Sequence, residues 1–84
     1  MTLASIPHRT LVQIDRIDGD RPFRRRLMEL GFLPGVHVQV LGVAPFGDPL
    51  DLEIRGCRFS LRTAEAARIA VVAVGAGSLE AAAK

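Results

Sequence analysis

From Val36 to Leu61 apolar and polar residues alternate with a period of two. That period predicts β-strands, whose successive side chains face opposite sides of a sheet. Val36, Val38 and Val40 share one face, and His37, Gln39 and Leu41 the other. The alternation resumes with Leu50, Leu52 and Ile54 inward and Asp51, Glu53 and Arg55 outward. It resumes again with Cys57, Phe59 and Leu61 inward and Arg58, Ser60 and Arg62 outward. Short turns at "APFGDP" (44–49) and Gly56 separate the runs, and strands so joined form an antiparallel meander. On this phase Cys57 is a half-buried small hydrophobe rather than a reactive thiol.

Upstream, "LVQIDRI" (11–17) sets Leu11, Ile14 and Ile17 among polar residues, an irregular strand signal. The period then lengthens. Asp20 is placed as an N-cap, Pro22 falls in a first turn, and Gly31 is a natural stop. Between them Phe23, Leu27 and Leu30 recur at i, i+4 and i+7, which predicts a helix of about two and a half turns. Residues 63–68, "TAEAAR", read as one helical turn capped by Thr63, and "IAVVAV" (69–74) as a last buried strand.

The order predicts a mainly β fold: a small, closed, five-stranded antiparallel barrel with one short helix inserted after the first strand. Closure removes the edges that so short a chain has little else to cover. The 84 residues suffice for a single domain, 1–84, with a core over about 10–75 and a flexible N-terminal arm and Ala-rich tail. Ordinary globular composition and a net charge of +2 give no strong pull toward nucleic acid. One cysteine allows neither an internal disulfide nor a Cys-based zinc cage. "MTLASIPHRTL" shows no basic leader or continuous apolar run, and no stretch approaches the roughly 20 residues of a membrane span. A soluble cytoplasmic protein without membrane insertion is the expectation.

Candidate chemistry is sparse. There is no phosphate-binding GxxxxGK[ST] loop, and no nucleophile with a spaced base, so an enzyme is not expected. His8, His37 and Glu53 are the metal-ligand candidates, and all read as solvated surface groups. Register across the 44–49 turn sets His37 opposite Arg55 or Cys57, and an arginine there disfavours a dication. Arg24-Arg25-Arg26 raises nucleic-acid binding, but successive helical positions diverge by about 100°. Arg25 is placed to pair with Glu29, and the chain has no Trp or Tyr on which bases would stack. The surplus is apolar. Met28 lies about 140° from Phe23 around the helix, Phe32 and Leu33 precede Pro34-Gly35, and Phe46 tips a turn between Pro45 and Pro49. These side chains either cap the barrel end or form a partner-binding patch.

Four spaced motifs carry a family resemblance: Leu27…Leu30-Gly31, Leu33-Pro34-Gly35, Ala44-Pro45-Phe46-Gly47-Asp48-Pro49, and Leu61-Arg62. With them residues 24–71 resemble FeoA, the small cytoplasmic protein of bacterial ferrous iron transport. The resemblance implies an SH3-like barrel that is not an enzyme and assists FeoB, a membrane transporter with a cytoplasmic GTP-binding part, by protein contact. It implies no required cofactor, only weak or adventitious zinc or iron. The expected contact surface is Met28, Phe32, Leu33, Pro34, Gly35, Pro45, Phe46, Gly47, Asp48 and Pro49, with Arg62 at its rim. Such a patch would also allow weak self-association. Proline-peptide binding does not follow from the SH3 label, because the aromatic groove that mode needs has no Tyr or Trp to line it. Two alternatives stand. One is a metal-responsive domain like the C-terminal domain of diphtheria-toxin-repressor-like regulators, although no winged-helix part precedes the stretch. The other is a small-barrel nucleic-acid binder.

Overall fold

The computed structural model describes residues 1–74. After a 3₁₀ turn at Leu3–Ser5 come β1 (Leu11–Ile17), α1 (Arg21–Leu30), β2 (His37–Val43), β3 (Leu50–Ile54), β4 (Cys57–Leu61), α2 (Thr63–Ala66) and β5 (Ile69–Ala73). The strands form one antiparallel sheet in the order β4-β3-β2-β1-β5. β4 and β5 end the sheet without pairing to each other, so closure comes from packing rather than from a continuous ladder. The sheet curls round one core to which every strand contributes, from Leu61 of β4 to Ile69 and Val71 of β5.

The irregular β1 pattern has a local cause. Val12 and Ile14 are buried with the period of two, then the register against β5 shifts between Ile14 and Arg16. The shift moves Ile17 back onto the inner face, while Leu11, at the start of the strand, is exposed. The N-terminal arm also departs from expectation. Leu3 and Ile6 are core residues, Thr2 bridges to Ala70, and the Val71 N–H donates to Met1 O at 2.9 Å. The arm therefore covers the β5 edge instead of hanging free, an arrangement that apolar Leu3 and Ile6 drive. The predicted flexible tail lies outside the described residues.

Helix α1 begins as its sequence dictates. The Asp20 carboxylate accepts from the Phe23 N–H at 3.0 Å and Pro22 sits in the first turn. At the far end Gly31 takes φ 109°, a left-handed conformation that costs glycine little. Its N–H donates to Met28 O and that of Phe32 to Leu27 O, both at 3.0 Å, the paired bonds of a Schellman stop. Of the predicted stripe only Leu27 is fully buried. Phe23 is half-buried beneath the guanidinium groups of Arg26 and Arg68, 5.7 and 5.5 Å from its ring centroid. Leu30, on the margin of the stripe and last in the helix, is exposed. Asp20→Ala should cost about 1 kcal/mol and lower the melting temperature by roughly 4–8 °C, measured by circular dichroism.

Cys57 is exposed, not half-buried. It is the first residue of an edge strand, and no further layer covers it. Helix α2 starts one residue earlier than the pattern suggests, with Arg62 at the N-cap position and Thr63 inside the helix. That shift frees the Thr63 hydroxyl for another partner.

Candidate functional site

The β2–β3 loop is a tied structure. Gly47 N–H donates to Ala44 O at 2.8 Å, closing a four-residue turn, and Ala44 N–H donates to Pro49 O at 3.0 Å across its base. Gly47 adopts φ 86°, which a residue with a side chain would enter only under strain. Two bonds then fasten the tip to α2. The Thr63 hydroxyl donates to Gly47 O at 2.8 Å, and the Thr63 N–H donates to the Asp48 carboxylate at 2.6 Å. The carboxylate so placed also satisfies a donor at a helix N-terminus. On this clamped loop Phe46 is 98% exposed, so it faces solvent and does not fold over its own barrel. Pro45, Pro49, Val43 and Arg62 are exposed around it.

Strand register separates the other predicted contact residues from this tip. Val43 lies opposite Leu50 and Leu50 opposite Leu61, which sets the loop, Arg62 and Thr63 at one end of the barrel. The opposite end of β2 follows Leu33-Pro34-Gly35, where Gly35 N–H donates to Ile14 O at 2.8 Å. The pairs Val38–Ile54 and Ile54–Cys57 put the Arg55-Gly56 turn at that same end. Seven strand residues rise about 20 Å in all, at roughly 3.3 Å each. The predicted single surface is therefore two. Pro45, Phe46, Gly47, Asp48, Pro49 and Arg62 form one, while Met28, Leu33, Pro34 and Gly35 belong to the other.

Phe32 belongs to neither. It is 0% exposed and meets Phe59 edge-to-face, with ring centroids 5.7 Å apart. The Schellman turn that reverses the chain at Gly31 sends Phe32 inward beside Leu27, the apolar contact that usually accompanies this motif. The signal was present in "LMELGF", where a glycine stop is followed at once by an aromatic.

The metal candidates are scattered. His37 shares a shallow depression with Gly35, Val36 and Arg55. Glu53 pairs across the sheet with Gln39 on one side and Arg58 on the other. His8 precedes β1, next to Arg9, whose N–H donates to Val40 O toward the Phe46 end. Among the described residues no three His, Cys, Asp or Glu side chains gather to hold an ion. The Arg58 guanidinium pKa is held above its ordinary value by its hydrogen bond to Asp51, then by the charges of Asp51 and Glu53. It stays cationic at every physiological pH and repels a dication from Glu53. The Arg55 guanidinium lines the depression that holds His37 and repels a dication there. The predicted Arg25–Glu29 pair is not formed; Arg26 instead pairs with Glu65 of α2.

The family model for the FeoA domain matches residues 1–73. The chain belongs to the FeoA family. A fusion of Fe(2+) transport protein A with the Fe(2+) transporter FeoB from Porphyromonas gingivalis is 40% identical over 58 residues. The match covers 69% of this chain and 7% of the fusion, so the chain spans a small fraction of that relative. The solution structure of FeoA from Chlorobium tepidum superposes with a TM-score of 0.83 at 31% identity, covering 89% of this chain and 71% of that one. FeoA from Stenotrophomonas maltophilia, an SH3 domain protein crystallised with zinc, superposes at 0.74 with 34% identity, covering 86% and 89%. The SH3-like fold expected from the sequence is thus the fold observed, and the family is one of ferrous iron transport. No helix among the described residues is long and apolar enough to cross a membrane.

Proposed function

We propose that this FeoA-family chain is a cytoplasmic, non-enzymatic accessory protein of ferrous iron uptake. It docks through the Phe46 loop on the cytoplasmic part of an FeoB-like transporter. The observation that carries this reading is a fully exposed phenylalanine on a loop held by four hydrogen bonds. Exposure leaves its whole apolar surface free to be buried in a partner, where about 1.5–3 kcal/mol is available. The clamped loop is already ordered, so association loses little conformational entropy there. Aromatic side chains, Phe among them, are enriched at protein interfaces. The fusion relative supports the choice of partner, since covalent linkage holds two domains at high effective concentration. No metal is needed for this contact, and an ion held by His37 or Glu53 would be adventitious.

The test is capture of the purified chain by the transporter's immobilised cytoplasmic part, with and without guanine nucleotide. Retention above a bare-resin control is the expected result. Complete failure to bind in both nucleotide states would remove the reading.

A further inference from the structure

The second surface has a chemistry of its own. At 100° per residue, Arg21, Arg24, Arg25 and Met28 fall within about 100° of the α1 circumference. They line one open depression, with Glu29 on its flank. Arg26 points elsewhere, to Glu65, so the basic face is not the run of three adjacent arginines but a stripe that Arg21 completes. Among the described residues Arg21, Arg24 and Arg25 make no ion pair. Other carboxylates are taken by other cations, Asp15 and Asp18 by Arg16 and Glu65 by Arg26, which leaves at the depression only Glu29, on its flank and in no ion pair among the described residues, against three guanidinium groups. Three guanidinium groups beside one pliant thioether thus face solvent together.

We propose that this stripe docks on an acidic, carboxylate-bearing surface of the protein partner that receives Phe46. The inference rests on the docking reading above and adds a second, electrostatic contact to it. Charge complementarity names the occupant. Guanidinium forks match carboxylates in geometry, and an unbranched Met adapts to an irregular surface between them. A lipid surface fits less well, because a helix lying on a membrane buries an apolar face and this stripe offers only Met28. Nucleic acid lacks a stacking platform here. Since the stripe and Phe46 lie at opposite ends of β2, the two contacts act separately. The arginines set the rate of encounter, and Phe46 sets the lifetime of the complex.

The experiment follows association of the full chain with the transporter's cytoplasmic part by surface plasmon resonance. Arg24→Glu/Arg25→Glu should lower the association rate about tenfold at ~50 mM salt, and the difference should shrink to within about twofold at ~500 mM. The fold is retained, because acidic residues near a helix N-terminus oppose no dipole; circular dichroism checks this. An association rate unchanged by the double substitution, or equally slowed at both salt concentrations, overturns the inference while leaving Phe46 docking intact. Failure of the parent chain to bind at all overturns both. Binding to anionic phosphatidylglycerol vesicles or to RNA that the double substitution abolishes, with transporter association unaffected, also overturns it.

Discussion

Phe46→Asp is expected to abolish support of ferrous iron uptake in a transport assay while leaving the protein folded. The ring contributes almost nothing to the fold, because it is 98% exposed and touches no core residue cluster. Exposed substitutions of this kind change stability by about 0.5 kcal/mol at most, or within roughly 4 °C in melting temperature. The turn itself is held by Ala44, Gly47, Pro49 and Thr63, none of which needs the Phe46 side chain. In a complex the same position would bury a carboxylate against an apolar surface. An uncompensated charge there costs several kcal/mol, enough to weaken binding by more than about a hundredfold. Phe46→Trp, which keeps a large apolar ring, should retain activity. A folded Phe46→Asp protein that supports full iron uptake would rule out this loop as the docking surface.

How far the chain was legible in advance depended on the kind of signal. Period-two alternation located β2, β3 and β4, and the capping residues Asp20 and Gly31 fixed α1, because these signals are local and strong. The β1 bulge was not legible, since a register shift is decided by the partner strand rather than by the strand's own residues. Cys57 was misplaced for a related reason: alternation gives the face of a residue but not whether anything covers that face. The docking of Leu3 and Ile6 against β5 depends on contacts more than sixty residues away in sequence, as the Thr2–Ala70 bridge shows. At the candidate site the turn chemistry of 44–49 was plain, but its anchor was not. Thr63 reads as a helix cap in sequence, and only the fold brings its hydroxyl to Gly47. The four apolar side chains could be grouped by composition alone. Separating them required knowing that β2 runs between Leu33 and Phe46.

The separation is testable through Phe32, which sits only one residue from exposed Leu33. Phe32→Ala should destabilise the domain severely, by about 3–5 kcal/mol, because it empties a fully enclosed ring site and leaves Phe59 without its edge-to-face partner. Small domains have roughly 5–15 kcal/mol in total, so the loss takes a large share and lowers the melting temperature by more than about 12 °C. Phe32→Leu, which keeps most of the volume, should fall well short of that in thermal denaturation. Phe46 and Phe32 therefore predict opposite phenotypes from the same residue type: one loses the partner and keeps the fold, the other loses the fold. If Phe32→Ala melted within a few degrees of the parent and failed only to bind the transporter, Phe32 would be a contact residue and the burial beside Leu27 would be wrong. The reason to expect otherwise lies in the Gly31 turn. Its paired hydrogen bonds fix the direction in which the chain leaves α1, and that direction carries the next side chain into the core.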